Sequence, residues 1–295
     1  MRLRAPAWQD ARAVLAVLTA RHTADLGLPL FRLEEVLEEW RAPDVTLGDD
    51  VVVIELDQTI VAYAIVHRPG AFAVVAPSHE GRGVGARLLA WVEQRERERG
   101  CSTHRQIVAS TNARGRQLLE GAGYGHIRSY WRMARPLEPG LDATAPPGPI
   151  TVRRLDPEAD APALHALDAD SFGSAPDYVP ESYDMFVAEH LRAHDAAPEL
   201  SLVAQDGERI VGFLLARRWP HEATGYVDLL AVAPTHQRRG IGTALLTRAF
   251  AAFAGAGLVQ AQLGVASDNA RGLRVYEAAG MGPRFRFDVF ERPLS

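Results

Sequence analysis

The sequence predicts two copies of one α/β (α+β) fold, each a mixed, mostly antiparallel sheet flanked by helices. Three observations support this prediction. The 295 residues are about twice the length of a common domain. Hydrophobic residues make up 47% of the chain and charged residues 23%, which is the composition of a globular protein. Matching residues also recur at a constant offset of 157 positions, for example Pro77 and Pro234.

The repeat is carried by residues with specific backbone roles. The matched pairs are Pro77/Pro234, His79/His236, Arg82/Arg239, Gly83/Gly240, Gly85/Gly242, Asn112/Asn269, Gly115/Gly272 and Gly123/Gly280. Between the copies, residues 136–149 read PLEPGLDATAPPGP, which is too rich in Pro and Gly for a helix or a central strand. We therefore expect domains at 1–137 and 150–295, joined by a linker at 138–149.

Hydrophobic periodicity places the elements of the first copy in order. A short strand at 2–4 precedes helices at 10–20 and 31–40, and the acids of the second helix lie on one face. Two β-rich runs at 51–56 and 59–67 predict an antiparallel hairpin. The later elements are a strand at 71–76, a helix ending before Gly100, a strand at 106–109, a helix at 112–122 and a strand at 127–134.

The second copy repeats this order. Asp206-Gly207 is a typical hairpin turn, and the last strand is expected at 284–290. Each copy also places a glycine loop between a strand and an apolar helix. The order of elements therefore supports the duplication that the matched residues indicate.

Composition excludes several classes of function. All 32 basic residues are Arg, so a Schiff-base lysine and a P-loop lysine are both impossible. The single cysteine, Cys101, cannot form an internal disulfide, and a cytoplasmic location is expected. No apolar run has membrane-spanning length, and no segment is both basic and rich in aromatic residues. We therefore expect neither a membrane nor a nucleic acid as partner. We also expect the protein to be a monomer or a homodimer.

A glycine loop in the second copy has the character of a phosphate-binding site. A strand at 226–232 leads through Ala233-Pro234 into residues 237–243, Gln-Arg-Arg-Gly-Ile-Gly-Thr, and then into an apolar helix. Glycines let backbone N–H groups converge at a helix N-terminus, where the helix dipole favours an anion. The dinucleotide fingerprint matches only weakly at 81–86, because four residues separate it from the preceding strand and Arg238 replaces its first glycine in the second copy.

This strand, loop and helix resemble the acetyl-CoA motif of the Gcn5-related N-acetyltransferase (GNAT) family. The resemblance implies that the backbone of the strand pairs with the pantetheine arm and that the loop binds the pyrophosphate. The residues implied are Leu230, Ala231, Val232, Gln237, Arg238, Arg239, Gly240, Ile241, Gly242 and Thr243. Residues Asn269-x6-Tyr276 are similar to the second signature, in which Asn contacts the pantetheine and Tyr lies beside the sulfur. Ser267 or Asp268 is expected to cap this helix, and Gly280 to end it.

The resemblance implies an acetyl-CoA-dependent N-acetyltransferase in which an amine attacks the thioester directly. Tyr276 is the expected general acid, because a phenol of pKa about 10 can protonate a thiolate of pKa about 8.5 with little cost. The Leu230 N–H is expected to meet the carbonyl oxygen. Asp228, on the same strand, is either the general base or a plain ion-pair partner, and His221 and Glu222 are reserves.

The first copy lacks these chemical groups. Leu119 stands at the Tyr276 position, Ala71 at the Asp228 position and Glu80 at the Gln237 position. The glycines and the asparagine persist, so we expect a catalytically silent domain with a candidate second CoA site. Its residues are Val75, Arg82, Gly83, Gly85, Ala86 and Asn112.

The acceptor is expected to be a cationic amine, either of a small molecule, which is favoured, or of a peptide. Between Asp156 and Glu199 there are eleven acids and one base, Arg192, in the region that forms the acceptor side in this family. The alternative is that these acids only solvate helix faces. His190 and His194 are spaced for a metal but lack a third ligand, so they are expected on an exposed face and no metal is predicted.

Two other functions stay open. One is a non-catalytic acyl-CoA-binding or regulatory protein, against which Tyr276 and Asp228 argue. The other is an acetyltransferase like those of the mycothiol synthase family, which also has tandem domains with the working site in the second; this resemblance is one of architecture.

Overall fold

The hairpin expected from the two β-rich runs is present, with strands β2 (Val51–Leu56) and β3 (Thr59–His67). Leu56 pairs with Thr59, so the turn has two residues. Asp57 and Gln58 have φ of +48° and +62°, the left-handed backbone that a two-residue type I′ turn requires. The two-residue turn therefore fixes how β2 and β3 pair at this end of the hairpin.

The computed structural model describes residues 1–67, 70–173, 178–219 and 223–294. The chain divides into two units by its internal contacts. Unit 1 is Met1–Tyr130 with Phe285–Ser295, and unit 2 is Trp131–Arg284.

Unit 1 contains an antiparallel sheet whose strand order is β1 (Arg2–Arg4), β2, β3 and β4 (Gly70–Val75). The helix α1 (Ala11–Leu26) packs on one face of this sheet and α3 (Val84–Glu98) on the other. The helix α1 continues to Leu26, beyond the predicted end at residue 20, because the stop signal is Gly27 with φ of +81°. The other elements are α2 (Leu33–Trp40), β5 (Thr103–Ala109), α4 (Ala113–Gly121) and β6 (Gly125–Pro136).

The last strand of the chain, β12 (Gly282–Pro293), completes unit 1. It pairs antiparallel with β5, from Phe287↔Ala109 to Pro293↔Thr103. Phe290 is 1% exposed and packs with Leu89, Leu119 and Tyr124. The unit boundaries therefore differ from the expected 1–137 and 150–295, because this strand supplies core residues to the first unit. Residues 137–149 contain neither helix nor strand.

We expect Phe290→Ala to destabilise unit 1 by about 3–5 kcal/mol, because the ring leaves a cavity in a closed cluster. Thermal unfolding followed by circular dichroism measures the loss. Ile127→Ala, at a residue that is 46% exposed on β6, is the matched control and should cost less than about 1 kcal/mol. Equal losses in the two variants would show that β12 is not part of the core of unit 1.

Unit 2 repeats the arrangement, with strands in the order β11 (Gln260–Ala266), β10 (Thr224–Val232), β9 (Arg209–Trp219), β8 (Leu202–Asp206) and β7 (Ile150–Arg154). Strands β10 and β11 are parallel, whereas β7 through β10 are antiparallel to their neighbours. The other elements are α5 (Ala161–Phe172), α6 (Tyr183–Phe186), α7 (Ile241–Gly255) and α8 (Ala270–Ala278). The predicted fold class, mixed sheets flanked by helices in two domains, is confirmed.

The helix α7 lies close against the sheet of unit 2. Its buried residues include Leu245, Leu246 and Phe250. Gly225 on β10 permits this approach, since a Cβ there would lie 2.3 Å from the ring of Phe253. Close packing of α7 holds the loop before it in a fixed position beside β10.

Candidate active site

Strand β10 leaves its parallel neighbour halfway along its length. Its registered pairs with β11 run from Thr224↔Gln260 to Val227↔Leu263. At the same point, a bulge in the pairing with β9 inserts Asp228 between Val227 and Leu229. Bulges re-aim side chains and end pairing, and they are common beside active sites. Residues 230–232 stay paired with β9, which leaves their other edge for an extended ligand.

The loop after β10 has the backbone of an anion cradle. Arg238 has φ of +62° and Gly240 has φ of +87°, and Gly240 caps the N-terminus of α7. The first N–H groups of a helix lack intrahelical partners and point outward. A Cβ on Gly242 would meet nothing closer than Val232 Cγ2 at 3.9 Å, so packing within the protein does not require this glycine. The loop therefore fits a close-lying diphosphate.

Two hydrogen bonds fix the loop. Gln237 Nε2 donates to the Val232 carbonyl at 2.9 Å, and Arg271 Nη1 of α8 donates to Gln237 Oε1 at 2.6 Å. Arg238 and Arg239 are exposed, as an anion site needs. The side chains of Ala231 and Ile241 are buried, so these two residues can offer only their backbones to a ligand.

We expect Arg238→Gly to weaken acetyl-CoA binding about tenfold while stability stays within about 1 kcal/mol of the parent. Glycine relieves the left-handed strain of roughly 1 kcal/mol but adds a similar entropy cost in the unfolded chain. The lost cation accounts for the weaker binding. KM for acetyl-CoA and thermal unfolding test this expectation, and a stability loss above about 2 kcal/mol with unchanged KM would contradict it.

The helix α8 places Asn269 and Tyr276 on one element. Asn269 itself caps the helix, since its Oδ1 accepts from the Gly272 N–H at 2.8 Å. The predicted caps Ser267 and Asp268 are therefore wrong, because the asparagine side chain reaches the third amide first. Gly280, with φ of +80°, follows the helix as expected. The cap leaves the Nδ2 amide of Asn269 as the group that can meet a ligand.

Tyr276 is partly buried against the core of unit 2. Burial, and secondarily the nearby Tyr226 phenol, raise the pKa of Tyr276 to about 12. The hydroxyl is therefore fully protonated at neutral pH. It can donate a hydrogen bond but is a weaker acid than the sequence alone suggested.

Tyr226 was not anticipated from the sequence. Its ring stacks on Trp219 with centroids 4.1 Å apart, and the Arg132 guanidinium lies 4.8 Å from the Trp219 centroid and 5.0 Å from that of Tyr226. Tyr226 precedes Asp228 by two residues on β10, but the bulge at Asp228 breaks the simple alternation of faces, so sequence spacing alone does not relate the two side chains. The stack gives Tyr276 a rigid aromatic neighbour.

Asp228 is held by two partners. Its Oδ2 accepts from His190 Nδ1 at 2.7 Å, and its Oδ1 lies 2.9 Å from Arg217 Nε. Burial alone would raise the pKa of Asp228, but the hydrogen bonds and charges of these two partners outweigh burial and lower it. The carboxylate is therefore ionised, and each oxygen already accepts a hydrogen bond.

His190 does not lie on the exposed face predicted for it. Its side chain is 15% exposed and packs against Phe186, with ring centroids 5.1 Å apart. Burial would lower the pKa of the imidazole, but the hydrogen bond and charge of Asp228 raise it above its ordinary value. Because Nδ1 donates to a carboxylate, Nε2 carries the basic lone pair, 3.4 Å from Glu181 Oε2. Sequence spacing could not show this contact, since 38 residues separate the pair.

The acidic stretch divides into two groups. Asp160, Asp195 and Glu199 are paired with arginines within unit 2. Asp168 is buried, and burial raises the pKa of its carboxyl despite a hydrogen bond from Tyr178. Its carboxyl and that of Glu181 both interact electrostatically with His190. His221 and Glu222, the reserve bases, lie outside the described residues.

The corresponding region of unit 1 is a cavity of about 560 Å³. Five of the six residues predicted for a second CoA site line it, namely Val75, Gly83, Gly85, Ala86 and Asn112, whereas Arg82 is exposed and does not. Gly81 and Gly83 have φ of +71° and +76°, so this loop follows the same path as the loop of unit 2. Leu119, at the Tyr276 position, is buried in the core.

Across the described ranges, no group of three or more His, Cys, Asp and Glu side chains could hold a metal ion. Likewise, none of the helices within those ranges combines the length and the hydropathy that a bilayer crossing requires.

The model of the acetyltransferase (GNAT) family matches residues 19–124 and 162–281. The chain is 32% identical over 250 residues to a mycothiol acetyltransferase of Beutenbergia cavernae, a match covering 79% of this chain and 80% of that relative. A solved GCN5-related N-acetyltransferase of Sphaerobacter thermophilus superimposes with a TM-score of 0.86 at 26% identity, covering 99% of this chain and 95% of that one.

A tandem GNAT protein of the clavulanic acid pathway has a TM-score of 0.79 at 14% identity, over 100% of this chain and 98% of that one, which shows the shared fold. The family model matches each copy, and residues 125–161 lie between the two matched segments. The chain therefore belongs to the GNAT family as a tandem member, and it is an acyltransferase that transfers an acetyl group from acetyl-CoA to an amine.

Proposed function

We propose that unit 2 carries the N-acetyltransferase site and that its acceptor is a small, cationic amine. The observation that supports this most directly is the separation of β10 from β11 after Val227, immediately before the cradle at 237–243. Acetyl-CoA supplies an activated acetyl thioester. The edge of residues 230–232 and the amides of the loop offer the two contacts that its pantetheine arm and diphosphate need.

Tyr276 and Asn269 act on the cofactor side of the reaction. Asn269 Nδ2 is proposed to bind the pantetheine, and the Leu230 N–H to bind the acetyl oxygen. A phenol of pKa about 12 cannot readily give its proton completely to a thiolate of pKa about 8.5. We therefore assign Tyr276 a strong hydrogen bond that stabilises the departing CoA thiolate, while the His190 imidazole takes the proton that the attacking amine loses.

The base is proposed to be His190, positioned by Asp228. The Asp228 carboxylate has a lowered pKa and accepts two hydrogen bonds, so it is poorly suited to remove a proton itself. The His190 imidazole has a raised pKa and its Nε2 lone pair faces away from Asp228. Asp228 thus fixes the tautomer of His190, as carboxylates do in other acid–base pairs.

The acceptor class follows from the charges around His190. Asp168 and Glu181 are both close enough to interact electrostatically with His190, and a protonated amine binds well beside carboxylates. Because a relative of this chain is a mycothiol acetyltransferase, a mycothiol-related amine is the first acceptor to test. A monomer or homodimer stays a prediction.

The experiment is a panel of amines assayed with acetyl-CoA for thiol release. Small cationic amines, the mycothiol-related amine among them, should be turned over, and neutral alcohols should not. Glu181→Gln should raise KM for the amine about tenfold with KM for acetyl-CoA unchanged. Glu199→Gln, at an exposed carboxylate paired with Arg218, is the matched control. Equal effects of the two substitutions would contradict the proposed acceptor site.

A further inference from the structure

The cavity of unit 1 is chemically different from the cradle of unit 2, although the two loops share one backbone path. In unit 2 the space beside Gly242 is open. In unit 1 the Leu118 side chain lies over the equivalent Gly85, with Leu118 Cδ2 2.8 Å from the position a Cβ would take. An apolar side chain therefore occupies the approach that a diphosphate needs.

The polar groups that would bind CoA in unit 1 are already used. Glu80, at the Gln237 position, accepts from Arg21, and Arg21 also pairs with Asp25 at 2.6 Å. Asn112 Oδ1 caps α4 at 2.8 Å, and Asn112 Nδ2 donates to Asp25 at 3.3 Å. One cation thus faces two carboxylates at this end of the cavity, which disfavours an anionic ligand.

Three residues that line the cavity each have a buried polar atom without a hydrogen-bond partner among the described residues. These atoms are Arg21 Nε, His22 Nδ1 and Gln106 Oε1. Arg21 is 8% exposed and Gln106 is 6% exposed, so both residues are more than nine-tenths buried. Burial, and then the charge of Arg21, lower the pKa of His22 to about 4, which keeps its ring neutral. Buried polar atoms without partners are rare in folded proteins.

The remaining walls are apolar, and include Phe72, Val74, Leu88 and Leu89. A cavity of about 560 Å³ is within the range of small-molecule sites. Leu119 and Ala71 stand at the positions of Tyr276 and Asp228, so unit 1 lacks the phenol and the carboxylate of unit 2 at those positions.

We propose that the unit 1 cavity binds a neutral, largely apolar molecule with an amide head group, rather than CoA. The head group would donate a hydrogen bond to Gln106 Oε1 and accept one from Arg21 Nε, while its chain fills the apolar walls. This inference stands apart from the acetyl-transfer site of unit 2, since every residue it uses lies in unit 1.

Calorimetric titration of the full chain with decanamide tests the proposal. We expect one decanamide per chain, and at least tenfold weaker binding of decanoate, whose carboxylate would face Gln106 Oε1 and the acidic end of the cavity. Gln106→Leu should weaken decanamide binding about tenfold. Gln94→Leu, at an exposed glutamine of α3, should leave the affinity unchanged.

A second variant covers the case in which Gln106→Leu fails to fold. Leu118→Trp puts a larger side chain at a residue that lines the cavity, and it should abolish decanamide binding while acetyl transfer continues. The proposal is overturned if decanamide does not bind, if it binds Leu118→Trp as well as the parent, or if CoA displaces it with a stoichiometry of two CoA per chain.

Discussion

Replacing Tyr276 by Phe is expected to lower kcat by about 10²- to 10³-fold with little change in KM for acetyl-CoA. The substitution removes one hydroxyl from a ring that is packed against the core of unit 2, so the fold and the cofactor contacts should persist. A protein that only binds acyl-CoA would show no such loss. Steady-state rates of thiol release, with calorimetric CoA affinity, measure the two effects separately.

Tyr226→Phe is the matched control for this prediction. It removes a neighbouring hydroxyl from the same aromatic cluster but leaves the Tyr276 phenol in place, so we expect less than a tenfold loss. The pH profile gives a further check. Since the pKa of Tyr276 is raised to about 12, its phenol stays protonated and causes no fall in rate up to pH 10. A decline near pH 10 that disappears in Tyr276→Phe would contradict the burial of this group.

The fold could be predicted from local signals wherever those signals are strong. The hairpin at 51–67 has its predicted bounds because β-branched residues and a two-residue turn act together over a short range. The two glycine loops have left-handed residues at matched positions, Gly81 with Arg238 and Gly83 with Gly240, which agrees with the constant offset of the repeat. The end of α1 was predicted at residue 20, whereas the helix continues to Leu26 and ends at Gly27, whose φ is +81°.

Long-range partners could not be predicted. The repeat shows that two strands are equivalent but not which unit each completes, and β12 contributes Phe290 to unit 1. The candidate site shows the same limit. Asp228 was identified from its place on β10, whereas His190 comes from a different element and was assigned to the surface. Acids counted along the chain also overstate the local charge, because Asp195 and Glu199 are paired with arginines.

The His190–Asp228 pair leads to the second large prediction. His190→Gln should lower kcat/KM for the amine about 10²- to 10³-fold, because glutamine fills a similar volume but cannot accept a proton. His194→Gln, four residues further along the chain at an exposed position, is the matched control and should retain full activity. Comparable losses in both variants would remove His190 from the mechanism.

The pH dependence separates a base from a structural residue. A base acts only when it is deprotonated, so kcat/KM should rise with pH through the pKa of His190. Asp228 raises that pKa above 6.5, the ordinary value for an imidazole. His190→Gln should abolish this acid limb. Asp228→Asn should move the limb to lower pH, because burial and the charge of Arg217 both lower the pKa of His190 once the carboxylate is gone. An acid limb that stays in place in Asp228→Asn would mean that the two side chains do not titrate as a pair, and Asp228 would then have only its ion pair with Arg217.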